Sequence, residues 1–262
     1  MSSRSEAQEA IERGLVLVNG AVADKPSRLV ATADAVLINW GIKRWVSRGA
    51  IKLDFALDHF NISIKDKLSI DIGSSTGGFT EVLLDRGASA VVAIDVGLNQ
   101  LHERIRSNPR VRSFEKTNVK HLSRLDLDRL FGIEGCSGAS IVVVDVSFAS
   151  IRGVVQILPE LSDSLADWIL LVKPQFEVGH KEASRSSGVI TNPALWESSI
   201  EGAAKEVVAI GGSLRGSVVS PVKGGAGNTE FFIWATWGGA DSLRINDISD
   251  VAYSVGMGDH SQ

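Results

Sequence analysis

Five ionisable side chains sit where apolar runs begin or end: Asp71, Asp95, Asp145, Lys173 and Glu230. Asp71 belongs to Ser69-Ile70-Asp71-Ile72-Gly73-Ser74-Ser75-Thr76-Gly77-Gly78-Phe79-Thr80. There a short apolar strand pattern runs into glycines and small hydroxyl residues, and then into a helical pattern. Glycine serves where backbone must come close to a ligand or take a positive φ. Asp95 lies near the end of the next apolar run. Such a pair suits a nucleoside, with backbone at the loop and a carboxylate on the ribose hydroxyls. The loop is not G-x-G-x-x-G, and no Gly-Lys-Ser/Thr closes it as a P-loop. That points away from NAD and ATP and towards S-adenosylmethionine, which has no phosphates to cradle. A strand-to-helix turn with no other support is equally consistent with plain structure.

Lys173 follows an apolar run in Leu170-Leu171-Val172-Lys173-Pro174-Gln175-Phe176, and Asp145 does the same in Val144-Asp145-Val146-Ser147-Phe148. Glu230 opens a run in Asn228-Thr229-Glu230-Phe231-Phe232, and Lys52 starts a helical pattern leading to Leu57. A lysine at a strand end reads either as a snorkelling stem or as a desolvated amine. Burial and a second cation such as Lys52 both favour the uncharged amine, which can take a proton from a hydroxyl. Asp145 and Glu230 would orient the two amines. All four at one end of a sheet favour the reactive reading.

The elements that must position these residues follow from periodicity. The 262 residues allow one large domain and a small one. Strand patterns lie at 68–73, 90–96, 111–115, 140–146, 168–173, 217–222 and 230–237. Helical patterns separate most of them, so a mostly parallel α/β sheet is expected. Ile141-Val142-Val143-Val144 reads as a central strand buried on both faces. The loop 223–229 is too short for a helical crossover, so the last strand should run antiparallel. Seven strands of this kind match class I methyltransferases, a Rossmann-like fold. Upstream, Ser3-Arg4-Ser5-Glu6 fits a capping box, and Gly14 a helix C-cap. Asn19-Gly20 fits a hairpin turn, and 36–38 a further strand. Residues 39–47 read as a linker, and 238–262 as a tail expected to be disordered.

Composition narrows the partners. The net charge of −4 and 44% hydrophobic content are those of a globular chain. Nucleic-acid binding would need a local basic face, for which Lys43, Arg44 and Arg48, and later Lys181 with Arg185, are candidates. No apolar run has membrane-spanning length, and no His/Cys/Asp set has metal-ligand spacing. Neither a membrane nor a metal is therefore expected. Cys136 is the single cysteine, and a cytoplasmic setting is expected.

At this point the residues resemble a known family. Trp45-Val46-Ser47-Arg48-Gly49-Ala50-Ile51-Lys52-Leu53, the run 73–84, and Val172-Lys173-Pro174-Gln175-Phe176-Glu177-Val178-Gly179 are similar to the TlyA (haemolysin A) family. These are ribosomal RNA 2′-O-methyltransferases of the FtsJ-like group. Asp95-Val96-Gly97, Gln100-Leu101, Lys116-Thr117-Asn118 and 227–232 match as well. The resemblance implies a catalytic tetrad of Lys52, Asp145, Lys173 and Glu230. It also implies S-adenosylmethionine held by Asp71, Gly73, Ser74, Ser75, Thr76, Gly77, Gly78 and Phe79 at its methionine part. Asp95 would hold the ribose and Asn118 would lie near the adenine, with Val96 also among the cofactor-binding residues. Asp145 borders both sets. Ribosomal RNA or ribosomal subunits are the implied partners, and a cytidine ribose the implied acceptor.

Residues 1–38 resemble the latter part of an S4-like RNA-binding domain, whose usual basic first helix has no counterpart here. The methyltransferase domain is expected over 48–237, with 177–190 as a mobile loop over the substrate. Three other readings remain: a catalytically silent protein of this fold that binds RNA or ribosomes, a haemolysin-type membrane-active protein, and a small-molecule O-methyltransferase. The intact tetrad weighs against the first, the absence of a membrane-length segment against the second, and the second lysine with the S4-like segment against the third.

Overall fold

The computed structural model describes residues 4–12, 14–23, 25–38, 45–179, 186, 188–239 and 242–255. The N-terminal segment opens with α1 (Arg4–Glu12), which buries Ala10 and ends at Gly14, in the left-handed region at φ 69°. Strands β1 (Val16–Val18) and β2 (Ala21–Val22) form a hairpin through Asn19 and Gly20, both at positive φ. An Asn-Gly pair tolerates that geometry, and it matches the strand twist. Strand β3 (Val36–Ile38) pairs on the other side of β1, giving the order β2-β1-β3. Ala10, Leu15, Val16, Val18 and Ala23 make a small core of their own.

The rest is one seven-stranded sheet. Its strands are β4 (Leu68–Ile72), β5 (Ala90–Ile94), β6 (Val111–Phe114), β7 (Ala139–Val144), β8 (Ser162–Val172), β9 (Gly212–Val219) and β10 (Phe231–Trp237). They lie in the order β6-β5-β4-β7-β8-β10-β9. Only β10 runs against its neighbours, antiparallel to both β8 and β9. The chain winds outward from β4 in one direction and from β7 in the other. Their adjacent carboxyl ends therefore form the switch point where ligands bind in such sheets.

Alternation sends Ile70, Ile72, Val142 and Val144 to one face and Ile141, Val143, Ile169 and Leu171 to the other. The second face is covered by α2 (Gly49–His59) and α3 (Gly78–Asp85). Around the first face lie the short helices α5 (Leu127–Phe131), α6 (Arg152–Val155), α7 (Leu158–Leu161) and α8 (Pro174–Glu177), while α4 (Glu103–Arg106) packs its Ile105 against Ala93 on the second. The long α9 (Pro193–Ala209) starts with Asn192 as its cap and Pro193 in its first turn. Its Trp196, Ile200, Ala203, Ala204 and Val207 fall on one helical stripe, buried in the core.

Three expectations need correction. Strand β8 begins six residues before 168, because the polar run Ser162-Asp163-Ser164 hides a strand whose pairing with β7 shifts register between Ala139 and Ile141. Strand β9 lies at Gly212–Val219 rather than 217–222. Glycine and proline are what misled: Gly216 leaves room for the Phe60 ring, 3.1 Å from where a Cβ would stand, and Pro221 lacks a ladder donor. The tail is not disordered over 242–255. Helix α10 (Ile245–Ser249) and the 3-10 turn Asp250–Ser254 bury Ile248 and Ala252. Leu243 N donates to Leu214 O at 3.0 Å, and Ser217 Oγ to Ile248 O at 2.8 Å, so this segment runs along the β9 edge. That covers an edge strand whose backbone groups would otherwise be unpaired.

Candidate active site

The loop after β4 is shaped by what it touches. Gly73 has φ 87°, and a Cβ there would collide with the Asp145 carbonyl. The loop after β4 and the chain after β7 therefore run in backbone contact, which only glycine permits. Gly77, at φ 95°, caps α3, and a Cβ on it would stand 2.8 Å from Leu101 Cδ1. Gly78 abuts Ser47 and the start of α2. Phe79 is buried against Phe232, with centroids 6.2 Å apart, so it belongs to the core as well as to the wall of the site.

Two cavities open at the switch point, one on each side of this loop. The first, about 460 Å³, is bordered by Gly73, Asp95, Val96, Asn118, Asp145 and Phe148 among others. Asp95 accepts hydrogen bonds from Ser75 N at 2.8 Å and Gly97 N at 2.7 Å. Each carboxylate oxygen keeps lone pairs for a further donor. Asn118 caps a 3-10 turn by accepting from Lys120 N at 3.1 Å, which leaves its amide hydrogens towards the cavity rim. The second cavity, about 490 Å³, is bordered by Arg48, Lys52, Ser74, Ser75, Thr76 and Asp145.

Asp71 lies in β4 beneath the loop and is fully buried. Thr80 Oγ1 donates to its Oδ2 at 2.6 Å, while Oδ1 has no partner. Burial pushes its carboxyl up to about 7; the Thr80 bond pulls the other way, and the charge of Asp145 adds to the rise. A glycine cradle that a Cβ would fill and an Asp95 carboxylate with lone pairs free for hydroxyls together fit a nucleoside without phosphates. S-adenosylmethionine is of that kind.

The four remaining candidates arrive as two ion pairs. Lys173 Nζ lies 2.6 Å from Asp145 Oδ1 and donates to Ser147 Oγ at 3.0 Å. Lys52 Nζ donates to Glu230 Oε2 at 2.6 Å. Lys52, Lys173 and Glu230 are buried and Asp145 half-buried. The register explains the meeting: Phe231 pairs with Val172, so Glu230 and Lys173 flank one rung of the β8–β10 ladder. Gly224 leaves the space that the Glu230 carboxylate fills.

Arg48, half-buried, precedes α2 beside Lys52. Lys43, Arg44, Lys181 and Arg185 lie outside the described residues. Of the loop 177–190, the end is tied down: Asn228 accepts from Ile190 N and donates to Gly188 O, both at 2.8 Å. Two residues escaped the sequence reading. Ser147 completes the hold on Lys173, and its signal was its place two residues after Asp145. Phe148 stands 92% exposed at the cavity mouth with φ 63°. An exposed aromatic held in a strained backbone is a feature of binding sites.

Comparison with known proteins bears on this arrangement. The FtsJ-like methyltransferase model matches residues 45–237, and the S4 domain model residues 1–36. The 16S/23S rRNA (cytidine-2′-O)-methyltransferase TlyA of Mycobacterium tuberculosis is 41% identical over 96% of this chain and 91% of its own length. Hemolysin A of Brachyspira hyodysenteriae is 37% identical over 87% of this chain and 92% of its own. The solved structure of a hemolysin-type protein from Streptococcus thermophilus superposes with a TM-score of 0.76 at 33% identity, covering 97% of this chain and 90% of the other. Among the described residues, no helix is long and apolar enough to cross a membrane.

Proposed function

The chain belongs to the FtsJ-like methyltransferase family, in its TlyA group, and from that membership we propose that it methylates a ribose 2′-hydroxyl of ribosomal RNA, on cytidine, with Lys173 as general base. The observation that carries the reading is the pairing of Lys173 with Asp145 and Ser147 at the rim of the Asp95 cavity. Bound S-adenosylmethionine supplies an electrophilic sulfonium methyl group.

The residues of the chain do the rest. Asp95 takes the cofactor ribose hydroxyls on its free lone pairs, and Val96 and Asn118 border the adenine. The glycine loop and Asp71 receive the methionine part. Asp145 and Ser147 fix the Lys173 amine, which accepts the proton of the attacking 2′-hydroxyl and later releases it to water. Lys52, held by Glu230, keeps a positive charge beside the acceptor sugar. Holding two reactants in line is worth about 7–11 kcal/mol, and a placed base a further factor of about 10²–10⁴. Arg48, with Lys43, Arg44, Lys181 and Arg185, would contact phosphates, so binding should weaken steeply with salt. The exposed ring of Phe148 offers a stacking face to an unpaired base.

The test is incubation with labelled S-adenosylmethionine and unmodified ribosomal subunits, followed by mapping of the labelled nucleotide. A 2′-O-methylcytidine is expected; label on a base or on protein would overturn the reading. Lys173→Ala should lower turnover by about 10²–10⁴ with cofactor affinity nearly unchanged. Retained turnover would remove Lys173 from this role.

A further inference from the structure

Next to the site, Glu177 is a buried carboxylate without a role so far. Glu177, the last residue of α8, has a side chain only 1% exposed. Its Oε1 accepts from Ile151 N at 2.7 Å and its Oε2 from Ser150 Oγ at 2.7 Å, with Arg152 Nε 3.3 Å away. These two donors and the neighbouring guanidinium begin α6, at the far end of the loop that starts with Asp145.

The topology gives this contact its meaning. Residues 145–152 leave β7, and residues 173–177 leave the neighbouring β8. The two segments are joined at their near ends by Lys173 with Asp145 and Ser147. Glu177 joins them again at their far ends, and Phe148 touches Phe176 in between, at 5.5 Å between centroids. Helix α8 is a single turn closed by Phe176 N to Lys173 O at 2.9 Å and Val178 N to Pro174 O at 3.0 Å. Glu177 is thus held at a set distance from Lys173. The intervening loop carries exposed residues 147–149 and a positive φ at Phe148, a conformation that persists only when the surroundings over-determine it. Helix α9 leaves room for the arrangement: a Cβ on Gly202 would collide with the Arg152 guanidinium.

We propose that Glu177 is a positioning residue for the methyl transfer: it clamps the loop 145–152 so that Asp145 and Ser147 hold the Lys173 amine in line with the acceptor hydroxyl. The proposal rests on the reading of Lys173 as the base. Glu177 lines neither cavity, so its effect should travel through the loop.

The experiment compares wild type, Lys173→Ala, Glu177→Gln, Ser150→Ala, Ser147→Ala and the Ser147→Ala/Glu177→Gln double variant. Each is measured by single-turnover methylation across pH and by amide hydrogen exchange. Glu177→Gln should lower the transfer rate about tenfold to a hundredfold, the scale of a misplacement near 1 Å, with little change in the KM for S-adenosylmethionine. The rising limb of its pH profile should move, because the groups around the amine have moved. Amides at 146–152 should exchange at least about tenfold faster while α9 stays protected. On the Ser147→Ala background, Glu177→Gln should cost much less than it does alone, as expected for residues acting as a unit. If Glu177→Gln fails to fold, Ser150→Ala, which removes one of the two hydrogen-bond donors to Glu177, decides by the same readouts. Lys173→Ala inactive, with wild-type rate and pH profile in Glu177→Gln and Ser150→Ala, overturns the clamp alone. Retained turnover in Lys173→Ala overturns both the clamp and the general-base reading.

Discussion

The two halves of the site satisfy their charges by different means. On the side proposed to hold the cofactor, the Asp95 carboxylate is met by backbone N–H groups, from Gly97 two residues on and from Ser75 in the loop after the neighbouring strand. On the proposed acceptor side, charge meets charge between side chains: Lys52 and Glu230 are 178 residues apart, and Lys173 binds Asp145 from the neighbouring strand. Turn backbone satisfies the first half, and paired side-chain charges satisfy the second. The first half should therefore tolerate loss of a side chain at modest cost to stability. The second should not, because removing one partner strands a buried ion.

The sharpest way to break that contrast is at the Lys52–Glu230 pair, whose side chains are 10% and 2% exposed. Glu230→Ala should destabilise the chain by about 3–5 kcal/mol, the usual cost of an uncompensated buried charge. Urea unfolding measures this. Lys52→Met with Glu230→Met should recover most of that stability, since a buried pair replaced by apolar side chains is often neutral. The double variant should still transfer no methyl group. Wild-type stability in Glu230→Ala would mean that water reaches the Lys52 amine, and the two halves would then differ in sequence distance only.

The same difference decides what could be read before the fold was known. Gly73 and Asp95 announce themselves because the turn and strand-end chemistry that makes them useful is local. The central strand announces itself through four consecutive β-branched residues, 141–144. The division of the four charged residues into Lys52–Glu230 and Lys173–Asp145 has no local trace; it follows from Phe231 sitting opposite Val172. Ser147 and Glu177 stayed hidden for the same reason. Strand β9 was misplaced because Gly212 and Gly216 are there to admit Val207, Trp168 and Phe60. The turns after β10 that cover β9 leave no sequence signal because their buried Ile248 and Ala252 are too few to set a period.

A smaller effect is expected on the cofactor side. Asp95→Ala should weaken S-adenosylmethionine binding about 10- to 100-fold, the scale of losing charge-assisted hydrogen bonds worth about 1.5–3 kcal/mol. Calorimetric titration measures it. Stability should change little, since Ser75 is exposed and its N–H can turn to water. A large fall in melting temperature would show that Asp95 organises the loop rather than receiving the ligand, and would make the halves alike.

A last test follows stability against pH and concerns Asp71, a cofactor-side carboxyl that turns do not satisfy. Asp71 is buried, and its carboxyl is pushed up to about 7 from the ordinary 3.8, chiefly by burial. The folded chain therefore keeps a proton that the unfolded chain gives up between about pH 4 and about pH 7. By linkage, stability from this group is whole below the unfolded value and is lost as pH rises through the folded one. Asp71→Asn keeps the shape and an acceptor for Thr80 but cannot ionise. Its stability relative to wild type should climb from about pH 4 to about pH 7 and level off above, as read from melting temperatures taken in parallel. A difference flat with pH would mean that Asp71 is ionised in the folded chain across this range, with a counter-charge in reach. The cofactor side would then hold a stabilised buried ion of its own, and the contrast with the acceptor side would narrow to how far along the chain the partners lie.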